Sequence, residues 1–182
     1  MKFKILHYRS VDSTNNFARA LAEEEAKEGT VVVSEYQTHG RGRFERRWVS
    51  PRGKNLLCSI ILRPKLSASS VSIITHVAAR SVQDLLIEKF KLAAKLKRPN
   101  DVLVGGKKIA GILTESSARG SRVDYVIVGI GLNVNGKRPS IPNRATSIWH
   151  EVGNLADVTS ILHEMLPFFV EQYKIVLNSH RN

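Results

Sequence analysis

At 182 residues, with 42% hydrophobic and 24% charged residues, the chain has the size and balance of one globular domain, which buries roughly 70% of the surface its unfolded form exposes. Its formal net charge of +12 and pI of about 10.1 suit an anionic partner: nucleic acid, a charged cofactor or an acidic protein. A lone cysteine, Cys58, excludes an internal disulfide, no run approaches the roughly 20 apolar residues of a membrane span, and MKFKILHYRS lacks a signal-peptide core, so a soluble cytoplasmic protein is expected.

Residues 3–8, FKILHY, read as a first strand. VDSTNNFARALAEEEAKEG opens a helix with Ser13 or Thr14 placed to cap it, Phe17 and Leu21 on one face, and Gly29 as its stop. VVVSEY at 31–36 is a buried-type strand leading into QTHGRGRFERRWVSPRG. That stretch carries Arg41, Arg43, Arg46, Arg47 and Arg52 against a single local counter-charge, Glu45. Gly40 and Gly42 disfavour regular structure there, so it reads as a mobile basic loop that closes on an anion, with Trp48 anchoring its far end or covering a ligand. A solvated basic loop with one buried tryptophan accounts for the same residues.

NLLCSIILRP at 55–64 leaves the loop as a strand that buries Cys58 as an inert thiol. Between Ser67 and Phe90, Ile74, Val77, Ala78, Val82, Leu85 and Leu86 recur at helical spacing. KLAAKLK at 91–97 suits a strand, and Arg98, Pro99, Asn100 and Asp101 a turn. VLV, Gly105-Gly106 and KKIAGILTESS form a hairpin, with Lys107 and Lys108 on opposite faces. RVDYVIVGIGLNVN is a strand thinned by Gly129 and Gly131. A polar segment with Pro139 and Pro142 precedes a last helix, about 157–177, packed through Ile161, Met165, Phe168, Phe169 and Tyr173. The order predicts an α+β fold over residues 1–182, with a mixed, largely antiparallel sheet and helices packed on one side. The glycines form neither a dinucleotide fingerprint nor a P-loop, and the absence of any nucleic-acid-binding signature argues against a specific nucleic-acid partner.

Four stretches, SVDSTNNFA (10–18), QTHGRGRFERRW (37–48), KRPNDVLVGGKKIAGILTE (97–115) and VGIGLNVN (128–135), resemble biotin protein ligases in order and spacing. GRGRxxRxW paired with PNDV and KIAGIL carries the resemblance, over residues 8–150. It implies an enzyme that joins biotin and ATP as biotinyl-5′-AMP, with Mg2+ accompanying the nucleotide, and then transfers biotin to one lysine of a biotin carboxyl carrier protein domain. By the same resemblance, Ser13, Thr14, Asn15 and Gln37 contact biotin, and Arg41, Gly42 and Arg43 close over biotin and its adenylate. Lys108 touches the biotin carboxylate and the α-phosphate, making it, with Arg43, the catalytic pair. Arg46, Trp48, Lys97, Asn100, Asp101 and Asn133 line the nucleotide side, and Asp101 is the nearest acidic candidate for Mg2+. Arg98 departs from the family, which usually has tryptophan there. No N-terminal DNA-binding domain or C-terminal β-barrel domain is expected, and because relatives lacking the DNA-binding domain are often dimers, the resemblance allows a homodimer.

The residues suit this chemistry. A carboxylate attacking an anionic α-phosphate about 4 Å away meets several kcal/mol of repulsion in a site of intermediate dielectric. A lysine on a rigid strand and arginines from a closing loop can offset it. Two rivals remain: a lipoate or octanoate ligase or transferase of the same fold, and an idle module that binds nucleic acid or the acceptor domain. The arginine loop favours biotin, and intact Arg43 and Lys108 favour an active enzyme.

Overall fold

The computed structural model describes residues 1–120, 122–137 and 144–179. Its strands are β1 (Lys4–Tyr8), β2 (Thr30–Ser34), β3 (Leu56–Leu62), β4 (Ala94–Lys97), β5 (Asp101–Val104), β6 (Lys107–Arg119) and β7 (Arg122–Leu132). They form one sheet in the order β1-β2-β3-β7-β6-β5-β4. Only β1 and β2 run parallel, joined through helix α1 (Thr14–Glu23), and the other neighbours are antiparallel. The mixed, largely antiparallel α+β fold is therefore as the sequence implies. Gly105 and Gly106 turn β5 into β6 with φ of 55° and 75°, the left-handed pair that a two-residue hairpin favours.

Because strand side chains alternate, the sheet has two different faces. Val31, Val33, Cys58, Ile60, Leu62, Val126, Val128 and Ile130 point to the main core, under α2 (Ser72–Phe90) and α4 (Val158–Ser179). Val32, Ile61 and Ile127 point the other way and pack on Ala18 and Ala22 of α1. The expectation of helices on one side is thus corrected: two long helices cover one face and α1 covers part of the other. Small alanines let α1 lie close to the strands, and its 10 residues leave β6 and the end of β7 to be covered by something else.

Three boundaries differ from expectation for local reasons. Glu25 takes a left-handed φ of 62° and Ala26 N–H donates to the Leu21 carbonyl, so α1 stops well before Gly29. Lys91, with φ 55°, ends α2 and delays β4 to Ala94. A five-residue helix, α3 (Ile148–Val152), is opened by Ser147, whose hydroxyl accepts from His150 N, and is too short for periodicity to reveal. The segment with Pro139 and Pro142 lies outside the described residues. The Arg63 guanidinium, just beyond β3, donates to the carbonyls of Ala22, Ala26 and Asp124, closing the end of α1 and tying it to β7.

On the α1 side, register sets Gly111 opposite Gly131 and Leu113 opposite Gly129. A Cβ at Gly129 would stand 2.1 Å from Asn15 Oδ1, and one at Gly131 2.6 Å from the Trp48 ring. Gly129→Ala is expected to cost about 2 kcal/mol, read as a lower thermal midpoint, because Asn15 must leave its buried partners. Burial pushes the Cys58 thiol up from 9.0 to about 12. Its folded value lies above its unfolded one, so the stability it contributes is complete below about pH 9 and is lost as pH rises toward 12. At about pH 8.5, Cys58 should resist alkylation in the native protein and react once it is unfolded, as mass spectrometry would show.

Candidate active site

The strip of sheet left bare by glycine meets the first turn of α1. Ser13 precedes that helix with an extended backbone, and its side chain makes no capping bond. Instead Thr14 N–H donates to Gln37 Oε1 at 2.7 Å and the Thr14 hydroxyl lies 3.1 Å from the same oxygen. The expected Ser/Thr cap is replaced by a glutamine from the loop, which the Val11–Gln37 bridge holds at the helix end. Asn15 fills the hollow over Gly129, with Nδ2 donating to Glu115 Oε2 at 2.7 Å and to the Leu113 carbonyl at 3.2 Å. Ser59 Oγ lies 2.7 Å from Asn15 Oδ1 and 2.8 Å from Thr14 Oγ1. Thr14, Asn15 and Gln37 are therefore already hydrogen-bonded to one another's surroundings, which fixes their rotamers in place.

The arginine loop crosses this strip as a narrow hairpin. Trp48 N–H donates to the Gly40 carbonyl and Gly42 N–H to the Arg46 carbonyl, with Arg41 paired to Arg47 and left-handed Phe44 and Glu45 at the tip. The Trp48 ring rests on Gly111 and Gly131, 5.4 Å from Lys108 Nζ, and its Nε1 is buried with no hydrogen-bond partner among the described residues. The cavity between Trp48, Gln37, Asn15 and the glycines holds only about 30 Å³. Small-molecule pockets measure roughly 300–1,000 Å³, so a ligand can lie on this floor only if Trp48 lifts from it.

Beside Trp48 opens a cleft of about 540 Å³ that Arg43, Arg46, Lys97, Asn100, Asp101 and Lys108 share. Lys108 Nζ is 2.7 Å from Asp101 Oδ1, on neighbouring strands of the β5–β6 hairpin. Asn100 Nδ2 donates to the Ile112 carbonyl at 2.7 Å, so that side chain braces the strand. Asn133 is 5% exposed, donates to the Thr146 carbonyl and accepts from Asn55, so its polar atoms are engaged inside the fold. Lys97 is exposed opposite Asp101 in the β4–β5 ladder. Asp101 is committed to Lys108, and among the described residues no three His, Cys, Asp or Glu side chains converge as metal ligands.

Arg41 also lines this cleft, but its charge is met by Glu115. Its guanidinium forks onto Glu115, 2.8 Å from Oε1 and 3.3 Å from Oε2, and donates to Asn16 Oδ1 at 2.6 Å. Glu115, Ser59 and Arg19 are parts of the site that sequence reasoning missed. Strand parity contains the missing signal, since Glu115 lies two and four residues beyond Leu113 and Gly111 on the same face of β6.

Residues 7–133 match the Biotin/lipoate A/B protein ligase family. The chain is 37% identical over 174 residues to the bifunctional ligase/repressor BirA of Bacillus subtilis, covering 93% of this chain and 54% of that protein. It is 39% identical over 165 residues to the biotin–[acetyl-CoA-carboxylase] ligase of Paracoccus denitrificans, covering 87% and 68%. The chain thus spans about half the length of the first of these relatives. Among solved structures, the biotin protein ligase of Aquifex aeolicus in complex with biotin and ATP superposes with a TM-score of 0.80 at 34% identity, covering 94% of this chain and 70% of that one. With a matched family region spanning most of its strands and relatives aligned along nearly its whole length, the chain belongs to the biotin/lipoate A/B protein ligase family.

Proposed function

We propose that the chain is an ATP-dependent ligase that activates biotin as biotinyl-5′-AMP and transfers it to a lysine of a biotin carboxyl carrier protein domain. The observation that carries this reading is Lys108. Its Nζ stands at the junction of the glycine floor and the cationic cleft, held by Asp101 and within reach of the Trp48 ring. Relatives named for biotin ligation and the Aquifex complex with biotin and ATP support it.

In this reading Trp48 lifts, biotin takes the floor against Thr14, Asn15 and Gln37, and ATP enters the cleft as its magnesium complex, the metal arriving with the substrate. Lys108 exchanges Asp101 for the biotin carboxylate and the α-phosphate, and relieves their repulsion. A carboxylate oxygen then bonds to phosphorus, the bond to the bridging oxygen breaks, and pyrophosphate leaves. Arg43 and Arg46, facing the same cleft, stabilise the charge that develops on the phosphoryl oxygens. In the second step the acceptor lysine amine bonds to the biotinyl carbonyl carbon, AMP leaves with the bonding pair, and the amine loses its proton. With the loop closed, water is kept from the mixed anhydride until the acceptor arrives.

A cytoplasmic protein acting as a homodimer fits this reading, and no described helix is long and apolar enough to cross a membrane. The net positive charge suits an acidic carrier domain better than a specific nucleic-acid sequence.

Biotin-dependent exchange of pyrophosphate into ATP tests the reaction. Exchange with biotin is expected, and exchange only with lipoate, or none, overturns it. Lys108→Ala should slow adenylate formation at least about 100-fold, near 2.7 kcal/mol of transition-state stabilisation. Biotin with ATP should also protect residues 38–52 from trypsin, and an unchanged cleavage rate would count against loop closure.

A further inference from the structure

Glu115 sits where three parts of the site meet, and neither of the two reaction steps uses it. Its side chain, 19% exposed, projects from β6 beside the glycine floor. Oε1 is 2.6 Å from Arg19 Nη2 and 2.8 Å from Arg41 Nη2. Oε2 is 2.7 Å from Asn15 Nδ2 and 3.3 Å from Arg41 Nη1. One carboxylate thus ties the first turns of α1, through Asn15 and Arg19, to the root of the arginine loop, through Arg41.

We propose that Glu115 is a positioning residue for biotin capture: by gripping Arg41 and Asn15 together it fixes the loop's root while leaving its tip free to move. The proposal rests on the biotin-activating reading above. Arg41 pairs with Arg47 across the stem of the loop hairpin, and Trp48 follows at once, so holding Arg41 holds the base from which Trp48 seats or lifts. The arrangement also divides the loop's charge. Arg41 is neutralised at the root, whereas among the described residues no carboxylate lies within ion-pair distance of Arg43, Arg46 or Arg47. Self-repulsion along the loop is therefore relieved where rigidity is needed and left in place where an incoming anion would relieve it. The fork needs both carboxylate oxygens. Glutamine offers one acceptor and turns an NH2 group toward the arginines, and aspartate is one methylene too short to reach them.

Arg19 separates this role from simple stabilisation, because it pairs with the same carboxylate without touching the loop. In the ligand-free protein, Glu115→Gln and Arg41→Ala should each speed tryptic cleavage at Arg43, Arg46 and Arg47 about tenfold. The double variant should go no further, Arg19→Ala should stay within about twofold of wild type, and the thermal midpoints should remain close. In pyrophosphate exchange, Glu115→Gln should raise the KM for biotin at least about tenfold, with KM for ATP and kcat within about threefold and Glu115→Asp intermediate. Additive effects of Glu115→Gln and Arg41→Ala, an Arg19→Ala variant as damaged as Arg41→Ala, or an unchanged KM for biotin would each overturn the proposal. Should the wild type show no exchange, the ligase reading fails, and the cleavage series still decides whether Glu115 anchors the loop.

Discussion

The pairing of β6 with β7 is the constraint on which the site rests. It sets Gly111 against Gly131 and Gly129 against Leu113, removing side chains from one strip of an otherwise filled sheet. Asn15 lies directly over one of these gaps and Trp48 over the others. A slip of one residue in this register would turn the glycines toward the core, replace packed Val128 and Ile130 with nothing, and push their side chains into the floor. The main core, clamped by α2 and α4 on the opposite face, therefore also enforces the flatness of the site. Packing and function are two sides of the same strands.

Electrostatics then act on that fixed frame. A chain with a net charge of +12 has cations to spare, and most lie where water screens them. At the site the cations are sorted by partner. Lys108 rests on Asp101, Arg41 rests on Glu115, and among the described residues no carboxylate lies within ion-pair distance of Arg43, Arg46 or Arg47. A resting counter-ion keeps a lysine oriented without a ligand, and it can be exchanged for an anionic substrate at little net change in local charge. Removing the counter-ion and removing the lysine are therefore different perturbations.

Much of this was legible in the sequence, because its signals are local. Glycine-rich turns, apolar alternation and the GRGRxxRxW, PNDV and KIAGIL stretches depend on neighbouring residues, and they placed β5, β6, the loop and the cleft that Lys108 enters. Two features were hidden because they depend on which face a helix chooses and on contacts nearly a hundred residues apart. Nothing local tells α1 to pack opposite α2 and α4; its pairing with Val32, Ile61 and Ile127 decides that. Nothing local joins Asn15 or Arg19 to Glu115 either. The cap at Ser13 was misread for a similar reason, since a distant glutamine took the amide that a neighbouring hydroxyl was expected to take. Asn100 and Asn133 also brace the fold in a way their motifs do not reveal, because their amides hold backbone carbonyls.

The seat of Trp48 has an optical consequence. The chain has two tryptophans, and they occupy unlike surroundings. Trp149 lies on α3 with Lys137 4.2 Å from its ring and His150 at its edge. Trp48 lies on bare backbone beside an ammonium group, its indole nitrogen without a hydrogen-bond partner among the described residues. An indole raised from such a seat changes both the polarity and the charge around its excited-state dipole. The fold thus carries, at the centre of its site, a native chromophore whose emission colour reports whether the floor is covered by the protein itself.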